Sequence, residues 1–434
     1  MNLRFVFFLG RRVLRGRGGT ARYLKGAVLG IALSLVPLVV VMEVSTGMIN
    51  GITARLLEVG TYHLQIALPS NTPEARLAEI AAAVGAVSDV VAAIPERQGT
   101  AMLVSAHGAA GVSIRCVPPD VFSRDAGFRS FVTIKAGSAD LTRPDSLLVS
   151  AALADSLGIA PGDMVNVLTT YGEGMTGPPR LTQLRTAGIY ETGYQDLDKT
   201  LAYAPLGIAS RILSPRAART LIGVKVRDPF ADLGPIARTI AAAAGQDLRV
   251  ATWDEIEYVR LASFRTTKAL LLFIMALVVA VASVNVSSSV IMIIFERRHD
   301  LGILASVGVG PPSLSLSFLL AGFTTGLMGT TLGIAVGLLV AVNINEVITG
   351  LEWVVNHALV LASLVRAPFA PSAPPFGSFT LFNSAYYLKS IPIKIQPLEV
   401  MTASVAALLL SALASYLPAS RAARTRPLEI LRKL

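Results

Sequence analysis

The chain has 434 residues, 53% of them hydrophobic and only 15% charged, with a mean hydropathy of +0.61, which excludes an ordinary soluble domain. Its formal net charge of +10 raises nucleic acid as a partner, but the basic residues are placed for a different task. Arg4, Arg11, Arg12, Arg15, Arg17, Arg22 and Lys25 precede the first apolar segment, Arg297 and Arg298 separate two others, and Arg421, Arg424, Arg426, Arg432 and Lys433 follow the last. Flanking clusters of this kind orient membrane helices with their basic ends in the cytoplasm, so no nucleic-acid partner is expected.

In chain order, residues 1–25 read as a basic, amphipathic cytoplasmic segment in which Phe5, Phe7, Phe8, Leu9, Val13 and Leu14 alternate with arginines. Residues 26–50 form the first transmembrane helix. It is longer than a signal-peptide core and has no A-x-A cleavage signal, so it reads as an uncleaved anchor. It holds Pro37 and, toward its outer end, Glu43, a carboxylate at membrane depth and hence a candidate functional group.

Residues 51–267 make a polar block long enough for one or two domains, placed outside the cytoplasm by the charge pattern. Tyr62–Leu68 alternates like a strand, and Thr72-Pro73-Glu74 carries the signature of a helix start. Ala101–Ser105 and Gly111–Val117 flank a turn and read as a hairpin. Ser150–Leu157 predicts a short helix closed by Gly158, followed by a Pro161-Gly162-Asp163 turn. Met164–Thr169, Leu184–Tyr190, Thr200–Ala204 and Ile222–Val226 read as strands. Asp228-Pro229 reads as the cap of a helix ending near Ala244, and Leu248–Thr252 as a last strand. The block is therefore expected to be mixed α+β. Its single cysteine, Cys116, rules out an intrachain disulfide.

Residues 268–295 form the second transmembrane helix, with no charge from Ala269 to Phe295, enough for about 40 Å of helix. Residues 296–312 are a charged, amphipathic cytoplasmic bridge, and residues 313–343 a third charge-free span. Gly322, Gly326, Gly329, Gly333 and Gly337 recur on one face of that span, where small residues let a neighbouring backbone approach closely, within the chain or in a dimer. A second external segment, 344–399, includes a stretch apolar enough for an interfacial or re-entrant helix (Trp353–Val365) and a proline-rich turn region. It is followed by the last span, 400–417, and a basic cytoplasmic tail, 418–434. The expected fold is an α-helical membrane domain of four transmembrane helices, with a mixed α+β periplasmic domain inserted between helices 1 and 2 and both termini cytoplasmic.

No P-loop, H-E-x-x-H, G-x-S-x-G or C-x-x-C occurs in the sequence. His63, His107, His299 and His357 fall in separate segments without ligand spacing, so neither an enzyme nor a metal site is expected.

Two stretches carry a family resemblance. Glu296-Arg297, Asp300-Leu301-Gly302-Ile303-Leu304 and Gly308 resemble the E-R-x-x-[ED]-[IL]-G-I-L-x-x-x-G segment of FtsX/MacB-type ABC permeases, with Ala305 where a basic residue is usual. Pro418-Ala419-Ser420-Arg421-Ala422-Ala423-Arg424, followed by Pro427, Glu429, Leu431 and Arg432, resembles their C-terminal motif. Within that superfamily the chain looks most like the lipoprotein-releasing (Lol) permeases, on Ser45–Gly51, Trp253-Asp254-Glu255, Ala282–Ser289 and Phe382–Pro392. The MacB-type efflux permeases and the FtsX-type regulators of cell-wall hydrolases are the competing subfamilies. A smaller ectodomain is usual in the regulators, and a fused ATPase in MacB.

The resemblance implies a bacterial inner-membrane permease subunit that extracts lipoproteins and passes them to a periplasmic carrier. ATP and Mg would be bound by a separate ABC ATPase dimer, and the second permease would be a copy of this chain or a paralogue. It makes 296–312 the ATPase-coupling helix, with Glu296, Arg297, Arg298, Asp300, Leu301, Ile303 and Leu304 at the contact. It places the acyl chains of the substrate against Val40, Val44, Met48, Leu271, Ile274 and Met275, an apolar wall without hydrogen-bonding demands. It also makes the loop between Met164–Thr169 and Leu184–Tyr190 a carrier-docking hook bearing Tyr171, Gly172, Met175, Pro178 and Pro179, whose prolines have little conformational freedom to lose on binding.

Overall fold

The computed structural model describes residues 19–170, 179–214, 218–245, 248–296, 303, 306, 309–366, 379–380, 388 and 391–423. The chain divides into two units: Met1–Met48, Phe264–Gly377 and Ile391–Leu434 form one, Ile49–Ser263 and Ser378–Ser390 the other.

The first unit is helical. Its long elements are α1 (Gly19–Arg55), α2 (Tyr258–Glu296), α3 (Pro311–Val342), α4 (Ile344–Arg366) and α5 (Pro397–Ala423). Four of them (α1, α2, α3 and α5) are long and apolar enough to cross a membrane. The glycine face of α3 is filled from within the chain. A methyl group on Gly322 would stand 2.0 Å from Ser415 Oγ, and one on Gly326 2.7 Å from Ser411 Cβ, both on α5. Farther along, methyls on Gly329, Gly333 and Gly337 would stand 2.8, 2.8 and 2.9 Å from the Cβ atoms of Ile31, Leu35 and Val39 on α1. The contacts recur every fourth residue on α1, the spacing of a close helix crossing. The interfacial helix expected at Trp353–Val365 begins earlier, at Ile344. Asn345 there brackets the Ile391 backbone, accepting from its N–H at 3.1 Å and donating to its carbonyl at 3.3 Å.

The second unit is built on ten strands: β1 (Leu64–Leu68), β2 (Val90–Val104), β3 (Ala109–Val117), β4 (Thr133–Gly137), β5 (Ser146–Ser150), β6 (Met164–Thr170), β7 (Pro179–Glu191), β8 (Leu201–Pro205), β9 (Arg219–Val226) and β10 (Val250–Thr252). One half of the sheet is the open array β10-β1-β9-β2, with the helices Glu74–Gly85 and Gly234–Ala244 contributing Leu77, Ile80, Val84 and Ile240 to its core. In the other half β2, β3, β8, β5, β7 and β6 pair in a closed circuit, because β6 joins both β7 and β2. The long strand β2 belongs to both halves, which gives the unit one continuous apolar core. β4 pairs with β7 outside this circuit and is its edge strand. Leu388, from the segment between α4 and α5, is buried and pairs with Tyr194.

Local signals hold in part. Ser150 caps its helix by accepting from Leu153 N–H at 3.2 Å, and Gly158 ends it in the left-handed region at φ +61°. Thr72 does not cap: its hydroxyl donates to Pro69 O at 2.7 Å, and Pro73 takes the cap position of the helix that starts at Glu74. Asp228 likewise closes a local turn onto Phe230 N–H, and its helix starts only at Gly234. Both side chains are captured by nearby backbone groups, the competition that draws such residues into turns.

The strongest polar feature of the unit surrounds the π-helical turn Leu56–Thr61 that ends α1. The last carbonyls of a helix have no partners within it. Arg115 of β3 donates to Val59 O and, at 3.0 Å, to Gly60 O, while Lys225 of β9 donates to Glu58 O at 2.9 Å. Cations at a helix C-terminus are favoured by its dipole. Both are themselves paired. Arg115 Nε donates to Glu96 Oε1 at 2.6 Å, and Lys225 meets Asp125 and, at 2.6 Å, Glu58. Tyr62 donates to Glu96 at 2.7 Å, and burial together with the Glu96 charge holds its hydroxyl well above the usual range, so it stays a donor. The Tyr62 ring lies where a side chain on Gly223 would be. Tyr62 itself takes φ +67° to reach this place.

Removing one member of the fully buried Glu96–Arg115 pair leaves the other charge uncompensated, at a cost of about 3–5 kcal/mol. Arg115→Met alone is therefore expected to shift the denaturation midpoint of the full chain far more than Arg115→Met combined with Glu96→Leu. Equal losses in chemical denaturation would contradict the account.

Candidate functional site

In the membrane unit, three apolar helices bring four polar side chains together. Lys268 is the last charged residue before the apolar run of α2, and Glu399 the last before that of α5. Lys268 Nζ lies 2.7 Å from Glu399 Oε1 and donates to Thr46 Oγ1 of α1 at 2.8 Å, while Thr46 Oγ1 donates to Glu399 Oε2 at 3.0 Å. The three groups form a closed ring in which each oxygen or ammonium finds a partner. One turn before Thr46 on α1, Glu43 is fully buried. Its oxygens have no side-chain hydrogen-bond partner among the described residues, and the polar group beside them is the Gln396 backbone.

Beside the ring opens a groove of about 370 Å³ between α1, α2 and α5. Leu38 and Met42 of α1, Leu272 and Val279 of α2, and Thr402 and Leu410 of α5 line it, with Lys268 and Glu399 at its polar end. The width comes from alanines: Ala276 faces Ala403, Ala406 and Ala407, where larger side chains would close the gap. Burying an apolar chain here leaves no polar group unsatisfied along the walls.

None of the residues expected from the sequence to touch acyl chains lines this groove. Val40, Val44, Met48, Leu271 and Met275 are half-buried, and Ile274 is 50% exposed. Met275 packs on the cluster of Ile31, Leu35, Leu38, Val279 and Ala407. At the end of α2, Glu296 opens the bridge. Ile303 is helical and exposed, and Arg297, Arg298, Asp300, Leu301 and Leu304 lie outside the described residues. Pro179 opens β7 opposite Thr170, so β6 and β7 run in register up to residues 171–178. Tyr171, Gly172, Met175 and Pro178 lie outside the described residues.

Residues 272–427 match the family model described as FtsX-like permease C-terminal. Over 98% of both chains, the sequence is 26% identical to the lipoprotein-releasing system transmembrane protein LolC of Neisseria meningitidis serogroup B, and 24% identical to LolE of Haemophilus influenzae. Among solved structures, the periplasmic region of MacB from Actinobacillus actinomycetemcomitans is similar at a TM-score of 0.30 and 13% identity, covering 47% of this chain and 94% of that one.

The ring predicts an asymmetry between its members. Lys268→Met leaves two carboxylates facing each other without a cation, whereas Glu399→Gln keeps a hydrogen-bonding partner for Lys268 and leaves Glu43 beside it. Lys268→Met is expected to be the more destabilising by about 1–3 kcal/mol, read from thermal unfolding of the full chain in detergent. The reverse order would show that the ring does not hold these helix ends together.

Proposed function

We propose that this chain, an FtsX-like permease over residues 272–427, is the membrane subunit of an ABC transporter that releases lipoproteins from the inner membrane. The observation that supports this reading is similarity to lipoprotein-releasing transmembrane proteins over 98% of both chains, which takes in the helical unit and the α+β unit alike.

On this reading the α+β unit is a periplasmic insertion between the first and second spans, and both termini face the cytoplasm with their arginines. A separate ABC ATPase dimer binds ATP and Mg, and meets the chain at residues 296–312 through Arg297, Arg298, Leu301, Ile303 and Leu304. A second permease, a copy or a paralogue, completes the membrane part. Acyl chains of the lipoprotein pass along Val40, Val44 and Met48 of α1 and Leu271, Ile274 and Met275 of α2, whose partial exposure leaves them available to a hydrophobic cargo. The β6–β7 connection, with Met175, Pro178 and Pro179, receives the periplasmic carrier.

Two variants separate these roles. Leu301→Asp with Leu304→Asp is expected to insert normally but to lose the ATPase on purification. Deletion of Gly172–Pro178 is expected to keep the ATPase and basal ATP hydrolysis while losing carrier capture and at least tenfold in lipoprotein release. Unchanged release by the deletion variant would remove the carrier from the proposal, and retention of the ATPase by the aspartate variant would remove the coupling helix.

A further inference from the structure

The charges at the polar end of the membrane groove do not balance. Glu43 and Glu399 are two carboxylates and Lys268 is one ammonium, and Lys268 is committed to Glu399 and Thr46. Glu43 is left fully buried, with the Gln396 backbone beside it but no side-chain hydrogen-bond partner among the described residues, and its charged neighbours are the same Glu399 and Lys268. A carboxylate in so apolar a place is costly unless it holds a proton or a cation meets it, and two cationic groups at this end would let both carboxylates keep their charge. The Lys268 and Glu399 side chains remain 24% and 23% exposed, so the ring is reachable from outside. A second ammonium arriving on Glu399 releases Lys268 toward Glu43, and two cations then match two carboxylates.

The groove says what that ammonium is attached to. Lys268 and Glu399 stand where the charge-free segments begin, at the level of the lipid headgroups. From there the lining descends along one face of each helix, through Leu272, Ala276 and Val279 on α2 and Ala403, Ala407 and Leu410 on α5. At roughly 30 Å³ per water-sized group, its volume of about 370 Å³ holds about a dozen methylenes, one acyl chain. We infer that this groove binds one chain of an aminophospholipid, whose primary ammonium completes the Glu43–Lys268–Glu399 charge set. The lipid's phosphate stays outside the ring in water. A lipid with an anionic head and no ammonium brings only repulsion to the two carboxylates. The inference does not rest on the lipoprotein cargo: no residue lining the groove is among those assigned to cargo, although Met275 packs beside it on Leu38 and Val279.

The test uses the full chain in nanodiscs of equal phosphatidylethanolamine and phosphatidylglycerol, with a trace of either lipid carrying a photoactivatable group on its acyl chain. Phosphatidylethanolamine is expected to label the peptides containing Leu272–Val279 and Ala403–Leu410 at least fivefold more than phosphatidylglycerol. Glu43→Gln is expected to bring the two within twofold of each other, and Ala406→Phe to remove the phosphatidylethanolamine excess on these peptides, leaving the equal background that bulk lipid gives their exposed side chains. Equal labelling of the unmodified protein overturns the inference, as does a preference that survives Glu43→Gln. If Glu43→Gln does not fold, Ala406→Phe decides, and undiminished phosphatidylethanolamine labelling in that variant overturns the site. A diacylated lipopeptide with a free N-terminal amine is the third probe. Stronger labelling by it than by phosphatidylethanolamine would assign the groove to cargo and overturn the lipid site.

Discussion

The carbonyl end of α1 is held by two buried cations, and the α+β unit is arranged around that grip. A helix that ends inside a protein must find donors for its last carbonyls. Here Arg115 and Lys225 supply them from β3 and β9, and each needs a buried carboxylate of its own, Glu96 for one and Asp125 with Glu58 for the other. The aromatic rings follow from the same requirement. Tyr62 and Tyr203 lie 4.9 and 5.7 Å from the Arg115 guanidinium, and Phe122 and Phe128 close edge-on against Tyr203. Gly223 has no side chain because the Tyr62 ring fills the space.

The membrane unit solves a different problem. In lipid, apolar side chains offer helices no preference for one another over the bilayer, so close approach and polar contacts have to hold them together. The glycines of α3 provide close approach on both sides, to α1 and to α5. Lys268, Thr46 and Glu399 provide the polar contact between α1, α2 and α5. What remains between those three helices is a groove that their alanines leave open, with Glu43 buried near its mouth.

Much of the architecture was legible because it rests on local signals. Uninterrupted apolar runs mark spans, and Ser150 and Gly158 mark the two ends of a helix in the places the structure shows. The glycine face of α3 was equally plain, although its spacing could not tell a partner within the chain from a second copy. The Glu96–Arg115 pair was not legible, because the two residues sit on neighbouring strands and no spacing rule links them. Closure of six strands through the β2–β6 pairing is long-range in the same way. In the spans, the rotation of each helix is hidden when every side is apolar. Val40, Val44 and Leu271 look no different in sequence from Leu38, Met42 and Leu272, yet only the second set lines the groove. Lys268 and Glu399 were visible only as the ends of apolar runs, and Glu43 only as a carboxylate out of place.

The central claim is that this chain couples ATP hydrolysis in another subunit to the removal of an acylated protein from a membrane. The most direct measurement purifies the chain from its own membranes under mild detergent, reconstitutes what accompanies it into liposomes loaded with a triacylated lipoprotein, and follows the lipoprotein in the soluble fraction after ATP is added. The account predicts that an ABC ATPase accompanies the chain, and that release requires ATP and a soluble acceptor. Release without ATP, or a preparation in which an accompanying ATPase hydrolyses ATP and the lipoprotein stays in the membrane, would contradict it.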